Sequence, residues 1–159
     1  PDEVSIGWDA DLERICTYAL LETIEGKYKI WVFNTHFDHV GNIAREQSAS
    51  LLLKKIQMLN TTKEPVLLMG DLNASNNSKV VDILRKKLTD TMKDAKMKHK
   101  GPIGTFNNFL NNQKIIKRID YVFSKGFQTI SHEHIDIKLE SGNHISDHLP
   151  VFVKVKIPN

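Results

Sequence analysis

The stretch EPVLLMGDLN, Glu64 to Asn73, constrains the fold more than any other part of this chain. Val66, Leu67, Leu68 and Met69 follow one another with no polar residue between them, the pattern of a strand buried on both faces, and Gly70 ends the run. A strand of that kind needs a packed layer on each side. Its C-terminal end delivers Asp71 and Asn73, and polar residues placed there mark either a turn or a site.

The remaining segments supply the other layers. Residues 12–23 and 28–35 are rich in β-branched, aromatic and aliphatic residues and are joined by IEGK, with Gly26 available for the turn, so they read as an antiparallel hairpin. After Gly41, NIAREQSASLLLKKIQML predicts a helix with Asn42 as N-cap and Ile43, Leu51, Leu52, Ile56 and Leu59 toward one face. NNSKVVDILRKKL predicts a shorter helix capped by Ser78, and TDTMKDAKMKHKGPIG a polar surface connection. Thr105-Phe106, KIIKRIDYVFS, QTISHEHIDIKL and LPVFVKVKI follow as strand candidates. About six strands and two helices, without regular alternation, point to an α+β sandwich of sheets with flanking helices rather than a doubly wound sheet.

At 159 residues and 18.2 kDa the chain fits a single domain, and no apolar run approaches the ~18 residues of a membrane span. A net charge of +3 falls short of the dense basic stripe of a dedicated nucleic-acid binder, while it permits a phosphate-bearing substrate. The single cysteine, Cys16, excludes an internal disulfide and reads as a buried thiol in a strand. The chain opens on Pro1 without a signal-like segment, so its natural start is expected upstream.

NTHFDHVG, Asn34 to Gly41, invites a zinc-site reading, but a zinc hydrolase would need a histidine where Asn34 stands. Three other clusters share its layout, polar residues beside an apolar strand: LLMGDLN, RIDYVF and HISDHLPV. Taken singly each has a structural explanation: Asp71 as a turn cap, Asp120 as a partner of Arg118, His148 as a satisfied buried histidine. Taken together they supply what phosphoester cleavage needs, namely carboxylates for a hard cation, an amide for a phosphate oxygen and imidazoles to move protons.

The ordered set NTHFDH, GDLN, RIDYVFS and SDHLPV resembles the C-terminal part of the endonuclease/exonuclease/phosphatase superfamily, of deoxyribonuclease I type, from about Arg14 to Ile157. The resemblance implies a four-layer αββα sandwich, incomplete in this chain, and water attacking a phosphoester in line with the help of Mg²⁺ or Mn²⁺. It implies that His148 activates water or stabilises the phosphoryl oxygens, with Asp120 or Asp147 orienting it. Asp71 would hold or deprotonate the attacking water, Asn73 would bond a phosphate oxygen, and His36 would bind phosphate or protonate the leaving oxygen. Arg14 is similar in placement to a phosphate-contacting arginine, and Asp71 and Asp147 are the metal candidates.

The superfamily's principal metal-binding glutamate, and an asparagine preceding it, have no counterpart here, because Glu3, Glu13 and Glu22 do not sit in the expected motif. Residues 1–159 are therefore expected to be the C-terminal portion of one domain, with an open sheet face that pairs with the N-terminal part or with a second copy. The resemblance implies a phosphoester substrate, in nucleic acid or in a small or lipid phosphate, with the mild charge favouring the latter. The competing reading is a catalytically silent binding module, or an inactive fragment, on the same fold.

Four further expectations concern the remaining residues. His132 and His134 share one strand face and read as exposed edge histidines, and the lysines of KDAKMKHK as solvated. Trp8 reads as lining the substrate rim or as packing under the first loop, with the rim favoured, and Asp38, His39 and Arg45 read as supports of the site or as helix-start residues.

Overall fold

The structure, a computed structural model, describes residues 3–158. The predicted hairpin forms from β1 (Cys16–Glu22) and β2 (Lys29–His36), which pair antiparallel, and Gly26 takes a left-handed φ of 65° in the turn. Next come helix α1 (Asn42–Leu59), β3 (Val66–Asp71), α2 (Lys79–Arg85), β4 (Thr89–Asp90), the single-turn α3 (Thr91–Asp94), β5 (Asp120–Lys125), β6 (Gln128–His134) and β7 (Val151–Lys156). Strands β1-β2-β3-β5-β4 make one sheet in that order, with β2 and β3 parallel and the other neighbours antiparallel. Strands β6 and β7 make a second sheet, which meets the first through contact of β7 with β5.

The core lies between the first sheet and the helices. Phe33, Val66, Leu68, Tyr121 and Phe123 point from the sheet to Ala49, Leu52 and Ile56 of α1 and to Val80, Val81 and Leu84 of α2. The buried stripe of α1 runs through Ala44, Ala49, Leu52 and Ile56, whereas Ile43 and Leu51 are exposed. The expected face is thus corrected: steps of three and four residues from Ile56 back through Leu52 reach Ala49, and small residues suffice where the helix sits close to the sheet. Asn42 is not the cap either. The residue before the helix is Gly41, and the first free amides, of Ile43 and Ala44, donate to the Asp9 carboxylate at 3.1 and 2.6 Å. A carboxylate from a distant segment answers both the unpaired amides and the positive end of the helix. Ser78 caps α2 as expected, accepting from the Val81 amide.

Burial corrects the reading of β3. Val66 and Leu68 are buried against the helices, but Leu67 and Met69 are only half-buried, as are Ile30 and Val32 beside them, and Leu21 is exposed. Cross-strand register places these five side chains on the face away from the helices. Among the described residues that apolar face has no complete covering layer. Cys16 is half-buried, and its partial burial raises its thiol pKa.

The region between β4 and β5 departs furthest from expectation. Residues 96–100 do not float in solvent: the amides of Lys96, Met97 and Lys100 donate to the carbonyls of Thr129, Ile130 and His132 along β6. That segment covers His132 and His134, each 1% exposed, so these are core residues and not edge histidines. The lysines of the segment keep their solvated positions. The strand expected over KIIKRIDYVFS begins only at Asp120, because residues 115–117 pair irregularly with 104–106.

His99, His132 and His134 stack within 4.6–5.3 Å of one another. His134 Nδ1 and His99 Nε2 both donate to the Pro102 carbonyl, so with its proton on Nε2 His99 accepts from His132 at Nδ1. The two remaining buried nitrogens, Nε2 of His132 and of His134, carry bare lone pairs. Burial, with the charges of His134, Arg118 and His99, pushes His132 down to about 3, and burial with the charges of His99 and Arg118 pushes His134 down to about 4. The folded protein therefore takes up fewer protons than the unfolded chain below an ordinary histidine pKa of ~6.5. Stability is full above that value and falls as pH drops from there toward 4. The urea midpoint is expected to decline over this window, and less steeply in His132→Phe; parallel profiles in the two proteins would contradict the assignment.

Candidate active site

Strand periodicity and register build the centre of the site. Tyr121, Leu68 and Phe33 face the helices, so the residues one step along face the other way, and the register aligns His36 with Asp71 and Asp71 with Asp120. Three adjacent strands thus end in one row of His36, Asp71 and Asp120 on the open face. Gly70 is what lets β3 lie so close to β2: at its φ of 138°, a Cβ would stand 1.8 Å from the Thr35 carbonyl oxygen. Immediately beyond, Asn73 adopts a left-handed φ of 46°, and its amide donates to Asp71 Oδ1 at 2.7 Å. Tyr121, buried beneath, holds this loop through its hydroxyl, which lies 2.9 Å from the Ala74 carbonyl.

His148 reaches the row from the segment before β7. Its Nδ1 donates to Asp120 Oδ2 at 2.8 Å, and its Nε2 lies 3.9 Å from Asp71 Oδ2. The Asp120 contact fixes the tautomer, leaving Nε2 as the free nitrogen facing Asp71. His36 Nε2 sits 3.3 Å from Asp71 Oδ2 and 3.2 Å from the Asn73 amide nitrogen, which also donates to the Phe37 carbonyl at 3.0 Å. A carboxylate that accepts and an amide that donates therefore flank one imidazole nitrogen, so His36 has a partner whether or not that nitrogen carries a proton. Burial raises the Asp71 pKa, and the nearby Asp120 carboxylate raises it further, against the lowering effect of the Asn73 amide and the two histidines.

Of the residues singled out in the sequence, His36, Asp71, Asn73, Asp120 and His148 are brought together. Arg14 lines the adjoining cleft, of about 490 Å³, with Glu13, Thr17, Asn34, His36 and Asp71. Asp147 is placed differently: its carbonyl accepts from the Asn107 amide, and its side chain is outside the group whose ligand atoms converge. That group is Asp71, Asp120 and His148, with one atom from each lying within 4.8 Å of the others. Two neighbouring carboxylates whose repulsion already raises the Asp71 pKa suit a hard divalent cation, which would relieve that repulsion. Trp8 is exposed and does not line this cleft.

Several supporting residues were not singled out from the sequence. Thr105 Oγ1 accepts from the amides of Ile119 and Asp120, and its carbonyl from the amide of Leu149, so one residue fixes the approach to both Asp120 and His148. Phe106 packs edge-on against the His148 ring at 5.1 Å, and the buried Asn107 donates through its side chain to the Ser146 carbonyl. The signal, a Thr-Phe-Asn-Asn run between strands, was visible only as a short strand candidate. Arg118 does not pair with Asp120. Its two bonds of 3.0 and 2.7 Å go to Asp90, leaving Asp120 for His148.

Residues 5–148 match the Endonuclease/Exonuclease/phosphatase family. Among solved structures, a functionally unknown conserved protein from Enterococcus faecalis is 30% identical with a TM-score of 0.89, over 97% of this chain and 60% of that one. An endonuclease/exonuclease/phosphatase family protein from Bacteroides thetaiotaomicron is 31% identical with a TM-score of 0.87, over 98% of this chain and 60% of that one. A mannosyl-6-phosphatase from Bacteroides thetaiotaomicron is 29% identical with a TM-score of 0.86, over 96% and 60%. The chain thus spans about 60% of the length of the structures it matches. Curated proteins give no match.

Proposed function

The chain belongs to the endonuclease/exonuclease/phosphatase family, of deoxyribonuclease I-like fold, and from that premise we propose that it carries the greater part of a divalent-metal-dependent phosphoester hydrolase site. The observation that carries the reading is the row His36, Asp71 and Asp120 across three strand ends, closed by His148. In-line attack on phosphorus asks chiefly for positioning and neutralised charge, and this row supplies both.

Asp71 and Asp120 would hold the cation, Mg²⁺ or Mn²⁺, which when bound supplies electrostatic stabilisation of the phosphoryl oxygens. His148, kept in one tautomer by Asp120, takes the proton of the attacking water at Nε2, and Asp71 orients that water. His36 donates to the leaving oxygen or to the phosphate, Asn73 hydrogen-bonds a phosphate oxygen, and Arg14 receives the anion in the adjoining cleft. Asp147 is left as a metal candidate that would have to turn toward the others.

A small phosphoester fits the shallow cleft and mild charge better than a long polyanion, and a neighbour named as a mannosyl-6-phosphatase supports the same class. The half-open apolar face and the 60% coverage support completion of the site by a further segment of the protein, or by a second copy, that supplies the remaining metal ligand. No helix among the described residues is long and apolar enough to cross a membrane.

The test is turnover by the full-length protein in Mg²⁺ against sugar phosphates, inositol phosphates, sphingomyelin, DNA and a generic diester, with His148→Ala beside the wild type. A loss of about 10²–10⁴-fold in His148→Ala, with the circular dichroism spectrum unchanged, is expected for removal of a positioned base. Equal turnover in the two proteins would point to the silent binding module instead.

A further inference from the structure

Arg14 is the one permanent cation among the residues that line the cleft beside Asp71, and its guanidinium is held from behind. Nη2 lies 3.2 Å from His39 Nδ1, and Nε lies 3.6 Å from Asp38 Oδ1. A guanidinium has donors only, so His39 Nδ1 must be the acceptor. The His39 proton then sits on Nε2, which faces Asp11 Oδ2 at 3.7 Å. Nη1 of Arg14 makes no hydrogen bond among the described residues and is free to meet an oxyanion.

The backbone beneath is fixed independently of the cleft. Asp38, 2% exposed, accepts from the amides of Leu12, Val40 and Gly41 at 3.1, 3.0 and 2.7 Å, and these bonds hold its carboxyl well below the usual range against the effect of burial. Arg45 donates to the Asp38 carbonyl at 2.9 Å. The segment carrying Arg14 is thus tied to the segment carrying His39 before any ligand arrives. His39 is half-exposed and touches neither His36 nor Asp71 in these contacts, so its one visible task in the site is to orient Arg14.

We propose that His39 is a positioning residue that accepts from Arg14 and presents its remaining guanidinium donors to the phosphoryl oxyanion of a bound phosphoester. An arginine left to sample its rotamers loses that freedom when it binds, whereas one already tethered gives up less, so the tether appears as affinity for phosphate. The inference rests on the reading of the cleft as a phosphate site.

The experiment is titration of the full-length protein with inorganic phosphate, without added divalent ion, followed by calorimetry and by the arginine side-chain N–H signals. Arg14→Gln is expected to weaken binding about tenfold or more, and His39→Phe, which keeps the ring and removes the acceptor, about three- to tenfold. His39→Asn places an acceptor where Nδ1 stood and is expected to recover affinity to within about twofold of the wild type, as a merely structural role would not require. If Arg14→Gln weakens binding while His39→Phe binds like the wild type, the positioning role is wrong and the phosphate reading survives. If the wild type binds no phosphate, or Arg14→Gln binds as well as the wild type, the phosphate reading of the cleft fails and the proposal with it. Failure of His39→Asn to recover affinity while it melts with the wild type also overturns the proposal.

Discussion

Asp71→Asn in the full-length protein is expected to lower kcat by about 10³-fold while leaving the melting temperature unchanged or higher. Both halves of that result come from one geometry. Asp71 ends β3 in register with Asp120, so two carboxylates share a row, and burial together with the Asp120 charge works against ionisation of Asp71. The amide keeps the size of the side chain and the acceptor for the Asn73 amide, which lies at 2.7 Å from Oδ1, and removes the repulsion. What it also removes is the charge that would hold a cation and orient water between His36 and His148. Stability and activity are predicted to move in opposite directions, the signature of a group retained for chemistry. A large loss of stability in Asp71→Asn would instead make Asp71 a structural turn residue.

The second large effect concerns a site remote from chemistry. Asp90→Ala is expected to destabilise the protein by about 3–5 kcal/mol, because it strips a buried arginine of its only carboxylate partner among the described residues. Asp90 accepts from Arg118 at 3.0 and 2.7 Å and from Arg85 at 2.6 Å, and the Asp90 and Arg118 side chains are 2% and 4% exposed. Burial raises the Asp90 pKa, and the two guanidinium groups overcome that effect and hold it low. For a chain of 159 residues this loss corresponds to roughly 10 °C in Tm, measurable by calorimetry. A milder loss in Asp90→Asn, which keeps an acceptor, would separate the charge from the hydrogen bonds. The arrangement also serves the site: Arg118, occupied by Asp90, leaves Asp120 to His148 two residues along the chain.

How much of this was readable from residue order depends on the range of the interactions involved. The hairpin, α2 and the position of β3 were legible, because alternation, Gly26 and Ser78 act within a few residues. The stripe of α1 was misjudged since Ala49 carries little hydropathy and is buried by its distance from the sheet, which no window of sequence contains. His132 and His134 looked exposed because two polar residues at strand spacing ordinarily face water. They are buried by residues 96–100, thirty-odd positions upstream, whose lysine-rich composition reads as a loop.

The site shows the same division. His36, Asp71, Asn73, Asp120 and His148 could be nominated from their short motifs, since each motif puts polar groups at the end of an apolar strand. That His36, Asp71 and Asp120 stand in a single row is a matter of register between β2, β3 and β5, which is set by long-range pairing. Thr105, Phe106 and Asn107 act through backbone groups and ring packing, which leave almost no mark in residue type. Asp147, beside His148 in SDHLPV, was nominated by the resemblance, and its carboxylate is not among the ligand atoms that converge.

The most direct test is hydrolysis of a phosphoester by the full-length protein in ¹⁸O-labelled water with Mg²⁺, reading the label in the phosphorus-containing product by mass spectrometry. Water attacking phosphorus at the row of Asp71, Asp120 and His148 is expected to leave one ¹⁸O in that product per turnover, at a rate that collapses in Asp71→Asn. Label in the alcohol, or label in the phosphorus product at equal rates in the wild type and Asp71→Asn, would contradict it.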